Sequence, residues 1–145
     1  MRLSTRGRYG VRLMLDLALH YGQGPVLLKE IASRQEISEK YLWHLIPPLK
    51  NAGLINATRG PHGGYTLARP PLQITLEHII SVVEGPISLV KCVDNQTFCT
   101  RVDICIARDI WDEVSEKITD ILASITLADM VERYHKRIET ATYSI

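Results

Sequence analysis

A glycine-rich loop between two short alternating segments is the feature that most limits how this chain folds. Apolar and polar residues alternate in residues 54–58 and again in residues 65–68, as they do in half-buried strands. The six residues between them, Arg-Gly-Pro-His-Gly-Gly, include three glycines. Glycine permits the positive backbone dihedrals that a tight turn requires. The pattern therefore predicts a β-hairpin with a glycine-rich tip.

Three helical patterns precede this hairpin. Apolar residues recur at helical spacing from residue 8 to residue 21, and a shorter pattern runs from Leu28 to about Arg34. After a gap of about four residues, Ser38 stands as the N-cap of a third helix. Two short helices with such a gap are typical of a helix-turn-helix, whose second helix enters the major groove of DNA. Together with the hairpin they predict a winged helix-turn-helix.

Two consecutive prolines interrupt the third helical pattern. Pro47 and Pro48 lie about two turns after the cap, where each removes a backbone N–H and clashes with the carbonyl four residues back. An interior proline costs about 3 kcal/mol, and Pro48 also restricts the dihedrals of Pro47. We therefore expect a kink or a break near residue 46, with Gly53 ending any helix that resumes.

The charge distribution divides the chain. Residues 1–71 carry ten basic and four acidic side chains, a net charge of +6, whereas residues 72–145 carry seven and twelve, a net charge of −5. This asymmetry indicates a nucleic-acid-binding unit joined to a non-contacting one, although two ordinary solvated surfaces would also explain it. We predict a winged helix-turn-helix DNA-binding domain in residues 1–71, and a cysteine loop with a dimerisation helix in residues 72–145.

A long apolar stripe in the second half predicts a dimerisation helix. Thr75 caps a preceding helix that ends near Gly85, and the stripe then runs from Ile110 to Ile125 at steps of three and four. Such a helix packs against its copy in a dimer or folds back on its own chain, and we favour the dimer.

The end of the chain predicts little further structure. Thr126 with Asp129 three residues later resembles a capping box for a final short helix. The tail from residue 136 to residue 145 has too little apolar content to require order. The fold class predicted for the whole chain is mainly α, with a small β-hairpin wing and a long dimerisation helix.

Several classes of protein are excluded by motifs that the sequence lacks. No apolar stretch approaches the length of a membrane span, and the basic N-terminus lacks the apolar core of a signal peptide, so we expect a cytoplasmic protein. Three cysteines do not make a disulfide framework. Nucleophile motifs, a P-loop and a dinucleotide fingerprint are all missing, so we expect neither an enzyme nor a small-molecule substrate.

Cys92, Cys99 and Cys105 lie within fourteen consecutive residues. Their spacing lacks the close cysteine pairs of a zinc finger. The loop between them is polar and irregular, so three thiolates can converge on one soft metal centre such as an iron–sulfur cluster. A thiol redox switch and chemically inert thiols are the alternatives that the spacing leaves open.

Several segments together resemble one family, the Rrf2 family of bacterial winged-helix regulators. Its iron–sulfur branch (IscR-type) is the most similar, with the nitric-oxide-sensing NsrR-type as a relative, and the resemblance extends from Met1 to about Val131. The segments that carry it are Met-Arg-Leu-Ser-Thr-Arg-Gly-Arg-Tyr-Gly at the start, Ile37-Ser38 with Tyr41-Leu42, residues 51–55, Arg59-Gly60-Pro61-x-Gly63-Gly64-Tyr65 and the three spaced cysteines.

The resemblance implies a homodimer that binds partly palindromic double-stranded DNA and senses redox, iron–sulfur or nitric oxide status. In the family, the helix matching residues 38–46 reads the major groove and the arginine matching Arg59 enters the minor groove. The matching cysteines hold a [2Fe-2S] or [4Fe-4S] cluster, of which we favour [2Fe-2S]. The residues predicted to contact DNA are Arg2, Arg8, Ser38, Lys40, Trp43, His44, Arg59, Gly60, His62 and Gly63.

The fourth cluster ligand departs from the family pattern. IscR-type proteins use a histidine three residues after the last cysteine, where this chain has Arg108, which does not bind iron. The NsrR-type ligand, an aspartate in the first helix of the partner subunit, falls at Arg8. The ligand is therefore open, and the candidates are Asp94, Asp103, Asp109, a residue of the other subunit, water or a small thiol.

The reading helix departs as well. Lys40, Trp43 and His44 occupy outward positions that IscR-type proteins fill with small polar and acidic side chains. We expect Lys40 to contact guanine or a phosphate and His44 to donate to a base edge. Trp43 packs either on thymine methyl groups or inside the protein, so the operator sequence does not transfer from the family.

Two rival functions keep the fold but change the chemistry. In the first, the cysteines act without a cluster as a thiol redox switch. In the second, the winged domain makes protein contacts only, and the chain is an accessory protein that does not bind DNA. The net charge of +6 on residues 1–71 argues against the second rival.

Overall fold

The computed structural model describes residues 2–143, so Met1 and the last two residues of the predicted tail lie outside the described part of the chain. The predicted fold class is confirmed: the chain is mostly helical, with one antiparallel β-hairpin. In chain order the elements are α1 (Thr5–Leu19), α2 (Leu28–Gln35), α3 (Glu39–Asn51), β1 (Ile55–Thr58), β2 (Gly64–Leu67), a short 3₁₀ turn (Pro71–Gln73), α4 (Leu76–Glu84), α5 (Lys91–Asp94), α6 (Ile106–Ala123) and α7 (Leu127–Tyr143).

The hairpin is attached to the helices by a short third pairing. Within it, Ile55 pairs with Leu67 and Thr58 with Gly64. Val26, just before α2, exchanges backbone hydrogen bonds with Tyr65 of β2, at 2.9 Å and 2.8 Å between nitrogen and oxygen. Since an isolated two-stranded hairpin is marginally stable in water, this bridge fixes the wing against the helix-turn-helix.

One apolar core joins the helix-turn-helix to the helices that follow it. Helices α1 and α3 contribute fully buried leucines, among them Leu13 and Leu45. Ile79 of α4 and Leu127 of α7 are buried in the same cluster. Two backbone hydrogen bonds, from Leu76 to Ile125 and from Leu127 to Ile74, hold the start of α7 beside the start of α4. The core therefore contains residues from both sides of residue 71. The division into two domains at this residue stays a prediction.

Helix α3 continues through its two prolines, so of the kink or break predicted near residue 46 the break is wrong. The cost of about 3 kcal/mol for an interior proline is offset by packing. Four residues of α3 are buried in the core, and burying one large aliphatic side chain stabilises by roughly 1.5–3 kcal/mol. These residues are Leu42, Leu45, Ile46 and Leu49.

Helix α7 is longer than predicted. It spans Leu127–Tyr143, so the expectation of a short final helix and of a tail without order is wrong for residues 136–143. The capping hydrogen bonds are present: the Asp129 N–H donates to Thr126 Oγ1 at 3.1 Å, and the Thr126 N–H donates to Asp129 Oδ2 at 2.9 Å. Once a first turn is capped and packed, each further residue adds a hydrogen bond at low entropic cost. Apolar content therefore underestimates the length of such a helix.

The apolar stripe of α6 is left largely uncovered. Ile110, Trp111 and Val114 are exposed, and Ile121 keeps 60% of its surface accessible. Ile118, Leu122 and Ile125 are half-buried, so the stripe packs partly on its own chain, and the dimer stays a prediction. No helix within residues 2–143 has the length and apolar character to cross a membrane.

Candidate nucleic-acid interface

The exposed face of α3 carries the side chains expected to read bases. Ser38 caps the helix, its Oγ accepting a hydrogen bond from the Tyr41 N–H at 3.2 Å. Lys40 lies one turn before Trp43 and His44 on the outward side, and all three are exposed. Trp43 keeps 55% of its surface accessible, which removes the alternative that it packs inside the protein. An exposed indole between two basic side chains suits contact with base edges and methyl groups.

An aromatic and arginine cluster fixes α3 against α1. The rings of Tyr9 and Tyr41 meet edge to face with centroids 5.4 Å apart. The guanidinium carbons of Arg8 and Arg12 lie 5.5 Å and 5.4 Å from the Tyr9 ring centroid, within cation–π range. The sequence analysis named Arg8 as a DNA contact but missed Tyr9 and Arg12. Their partners Tyr41 and Gln35 lie 32 and 23 positions away, so no local pattern reveals these contacts.

Arg12 also holds the turn of the helix-turn-helix. Its guanidinium donates to the backbone carbonyl oxygen of Gln35, and its Nε donates to Gln35 Oε1 at 3.3 Å. The next residue, Glu36, has a left-handed backbone with φ of 54°. Such a conformation is unfavourable for residues other than glycine. Arg12 therefore stabilises the strained turn that orients α3 relative to α2.

The tip of the wing presents a cation next to open backbone. Arg59, Gly60 and His62 are exposed, and Gly60 has a φ of 106°, a value that favours glycine. Gly63 is instead buried, and a Cβ built on it would overlap the carbonyl oxygen of Thr58. Gly63 is therefore required for the shape of the tip, in addition to the DNA contact predicted for it.

The start of α1 is tied to the end of α4. Ser4 caps α1, and its backbone N–H donates to Glu84 Oε1 at 2.7 Å, with a second short contact from its hydroxyl. Exposed Arg2 and Arg6 flank this cap. The cysteine segment begins directly after Glu84, so one side chain links that segment to the basic N-terminal arm.

A buried carboxylate ties α1 to α2. Asp16 is 1% exposed and accepts hydrogen bonds from Arg34 Nη2 at 2.8 Å and Arg34 Nε at 3.1 Å, while Gln35 Nε2 donates at 3.1 Å. The hydrogen bond to Asp16 raises the pKa of Arg34 above its ordinary value. His20 Nδ1 lies 2.8 Å from the Asp16 backbone oxygen. This network is structural, and it holds the two helices that support α3.

The three cysteines are free thiols distributed along the segment between α4 and α6. Cys92 lies in α5 and Cys105 is the N-cap of α6, both half-buried, while Cys99 is exposed. The Arg101 N–H donates to Cys99 Sγ at 3.4 Å. Arg108, at the position where the resemblance implies a histidine ligand, donates from Nε to the Cys92 backbone oxygen at 3.1 Å.

The cysteine segment has the donor chemistry for a soft metal centre without a gathered ligand set. Among residues 2–143, no group of three or more His, Cys, Asp or Glu side chains is arranged to hold a metal ion. Asp94, Asp103 and Asp109, the candidate fourth ligands, are all exposed. The segment therefore offers three free thiols as donors, and it contains no buried residue from residue 84 to residue 114.

Comparison with known proteins identifies the family. The family described as "Rrf2: Iron-dependent Transcriptional regulator" matches residues 3–133. The chain belongs to the Rrf2 family. Its members are transcriptional regulators, so this Rrf2 protein is a DNA-binding transcription regulator, as the winged fold and exposed α3 indicate.

Three relatives place the Rrf2 protein near two kinds of regulator. It is 41% identical to the transcriptional regulator CymR of Bacillus subtilis over 90% of this chain and 89% of CymR. The structure of that CymR, described as the global cysteine regulator, superimposes with a TM-score of 0.77 over 92% of this chain and 98% of the other, at 39% identity. The regulator IscR of Xenorhabdus nematophila is 41% identical over 91% of this chain and 80% of IscR. The structure of T. potens IscR gives a TM-score of 0.77 at 42% identity, over 92% and 88% of the two chains.

Proposed function

We propose that this regulator acts in the cytoplasm as a homodimer on partly palindromic double-stranded DNA, and that Cys92, Cys99 and Cys105 hold an iron–sulfur cluster through which it responds to redox, iron–sulfur or nitric oxide status. Residues 1–71 form the DNA-binding domain, and residues 72–145 form the cysteine loop and dimerisation region. The observation that carries the DNA contact is the outward face of α3, where Trp43 is 55% exposed between Lys40 and His44.

The proposed dimer rests on α6. Its exposed apolar side chains, including Ile110 and Ile121, lie at helical spacing and are left in water by one chain alone. Pairing with a second copy buries them and sets two α3 helices apart. Those helices use both half-sites only when they lie about one turn of DNA apart, roughly 34–36 Å. A change of a few ångströms at the base of α6 therefore alters affinity for the operator.

Contacts at both ends connect the cysteine segment to α6 and to the start of α1. The Leu89 N–H donates to Ser115 Oγ at 3.0 Å, and Ser115 is buried on α6. At the other side, Glu84 holds Ser4 at the start of α1. Ordering of residues 85–105 thus acts on the dimer helix and on the DNA-binding head together.

The cluster is supported by donor chemistry and by resemblance. Cysteine thiolates are the usual ligands of iron–sulfur clusters, and the IscR relatives share the family and the fold. We favour a [2Fe-2S] cluster over a [4Fe-4S] one. When bound, such a group supplies a redox-active centre that oxygen or nitric oxide degrades. A carboxylate or solvent as fourth ligand makes it more labile than four cysteines do.

Anaerobic purification tests the cluster. We expect coloured protein with stoichiometric iron and sulfide, and we expect Cys92→Ala to lose the visible spectrum while the dimer persists in sedimentation. Colourless protein without iron or sulfide would favour the thiol switch, for which the free and exposed Cys99 is the specific observation.

DNA binding is tested by its dependence on salt. Contacts to phosphates release counterions, so the logarithm of the binding constant falls linearly with the logarithm of the salt concentration. We expect a steep slope for promoter DNA measured by fluorescence anisotropy. A flat slope would favour the accessory protein that does not bind DNA.

A further inference from the structure

An open cavity of about 600 Å³ lies between α1, the end of α2 and the middle of α7. Sites for small molecules have volumes of roughly 300–1,000 Å³, so this cavity is large enough to hold one. None of the residues predicted to contact DNA and none of the three cysteines lines it. The cavity is therefore separate from both parts of the molecule that the proposed function uses.

Arg34 is a charged side chain of this cavity that is held in place from behind. Its Nε and Nη2 donate to the two carboxylate oxygens of Asp16, which is 1% exposed. A guanidinium has five N–H donors, so these two bonds leave three, on Nη1 and on the outer side of Nη2. Within residues 2–143 those three have no hydrogen-bond partner, and the Arg34 side chain is 39% exposed. A second oxyanion can therefore bind the outer edge of Arg34 without displacing Asp16.

The other walls of the cavity are largely apolar. Leu15 and Leu19 of α1 are half-buried, and Tyr134 of α7 is 42% exposed. The His135 ring meets the Tyr134 ring edge to face, with centroids 5.7 Å apart. Apolar and aromatic walls with a few fixed polar groups are the usual composition of a small-molecule site.

We propose that this cavity binds a small organic oxyanion, a carboxylate or a phosphate monoester with an apolar body, as an effector of the regulator. The planar edge of a guanidinium matches two oxygens of either group. Because the Asp16 carboxylate offsets much of the Arg34 charge, the site does not hold every small anion. The ligand needs both the oxyanion on Arg34 and an apolar body against Leu15, Leu19 and Tyr134.

The effector role rests on the proposed function of α3 as the reading helix. Gln35 also lines the cavity, donates to Asp16 and is held by Arg12. The next residue, Glu36, has the left-handed backbone of the turn that leads into α3. A ligand bound to Arg34 therefore lies beside the turn that orients the reading helix. A coupling of this kind changes the affinity for the operator when the ligand binds.

Isothermal titration calorimetry of the full-length, anaerobically purified protein tests the site. The probes are 1-naphthylacetate, 1-naphthyl phosphate, the neutral 1-naphthylacetamide, and acetate, which lacks the apolar body. We expect at least one naphthyl anion to bind with a dissociation constant of about 1 mM or below. The amide and acetate should bind about tenfold more weakly, since a hydrogen bond between charged groups supplies at least that factor.

The same titrations contain the outcomes that overturn the site. The stronger of the two naphthyl anions shows whether carboxylate or phosphate is preferred. Equal binding of the amide would mean that the naphthyl ring adheres to apolar surface, such as the stripe of α6. No binding of either naphthyl anion at about 10 mM would leave the cavity without a ligand of the proposed class.

Two variants and a matched control locate the ligand. Arg34→Lys keeps a cation beside Asp16 but loses the planar edge, and should weaken the better probe about tenfold. Tyr134→Ala removes an exposed wall outside the Asp16 network, and should weaken the probe about fivefold. Lys136→Ala removes a cation of α7 that pairs with Glu132 at 2.9 Å and does not line the cavity, so binding should not change. Unchanged binding in either of the first two variants, or equal weakening in the third, would overturn the assignment.

Anisotropy titrations of promoter DNA test the effector role. The better probe at saturation should change the dissociation constant of the natural chain by about fivefold, the lower end of typical couplings. Acetate at the same ionic strength is the control, and Tyr134→Ala should respond less. An unchanged affinity for DNA while calorimetry shows the probe bound would overturn the effector role. If promoter DNA is not bound even without the probe, the proposed function fails, and calorimetry still decides whether the cavity is a site.

Discussion

Asp16 and Arg34 are 18 residues apart in sequence, yet both carboxylate oxygens of Asp16 accept hydrogen bonds from the guanidinium of Arg34. Asp16 is 1% exposed and Arg34 side-chain atoms are 39% exposed, so the pair lies at the boundary between core and solvent. The link crosses from α1 to the end of α2 and supports the turn that precedes α3.

Removal of Arg34 should destabilise the fold. Arg34→Ala leaves the Asp16 carboxylate buried with the Gln35 amide as a donor and with His20 Nδ1 at 3.6 Å. Breaking a fully buried pair costs about 3–5 kcal/mol, and partial exposure of Arg34 lowers our expectation to roughly 2–3 kcal/mol. Urea unfolding measures this loss in the free energy of unfolding. The double variant Asp16→Asn/Arg34→Ala should recover part of the loss, and a double variant no more stable than Arg34→Ala would contradict this account.

The Ser4–Glu84 contact should control order at the N-terminal arm. Glu84→Ala removes the acceptor of the Ser4 N–H and should increase hydrogen exchange of the first amides of α1 several-fold. Glu84→Gln keeps an oxygen at the same place and serves as the control. Protection that is equally lost in Glu84→Gln would mean that charge, rather than the hydrogen bond, fixes the arm.

The cap of α7 should make stability depend on acid. Hydrogen bonds from Thr126 lower the pKa of Asp129 below its ordinary value of 3.8. The carboxylate therefore contributes its full stabilisation above pH 3.8, and this contribution is lost as the pH falls through the lower folded pKa. The difference in unfolding free energy between the natural chain and Asp129→Asn should shrink in that range. A constant difference from pH 6 to pH 2.5 would exclude the linkage.

Arg59 and Lys40 should separate two kinds of DNA contact. Arg59→Ala at the wing should weaken binding by about tenfold, in line with the roughly 1–3 kcal/mol of one good contact. Lys40→Ala should either relax one base preference or reduce the salt slope by about one, according to whether it contacts guanine or phosphate. Anisotropy titrations at several salt concentrations give both quantities. Unchanged binding in both variants would argue for the accessory protein.

Arg108→His should strengthen a cluster if one is bound. The substitution places an imidazole where the resemblance implies the fourth ligand, and it removes the hydrogen bond to the Cys92 carbonyl oxygen. We expect slower bleaching of the visible spectrum in air than for the natural chain. Arg108→Gln removes the same charge without adding a ligand, so equal bleaching of the two variants would show that residue 108 does not reach the iron.

Local sequence signals predicted where helices begin, whereas packing in the core determined how far they extend. Ser38, Thr75 and Thr126 cap helices where the sequence placed them, because capping depends on residues three positions apart. Pro47 and Pro48 predicted a break, but α3 continues because its apolar residues are buried in the core. No rule based on local sequence compares the cost of a proline with the stabilisation from this burial.

The site was predictable in its exposed parts. Lys40, Trp43, His44 and Arg59 lie on the surface as expected. Tyr9, Arg12 and Asp16 were missed because their partners lie in other helices, and a polar residue inside an apolar stripe is the only sequence signal that Asp16 gives.

Because the exposed stripe of α6 is the proposed dimer surface, the cellular concentration of the protein itself affects operator binding. If the dimer is the form that binds the operator, the dimer concentration varies with the square of the free subunit concentration. Dilution during growth, or slower synthesis, then releases promoters without any chemical signal. Substitutions such as Ile121→Ser would shift the threshold at which this occurs.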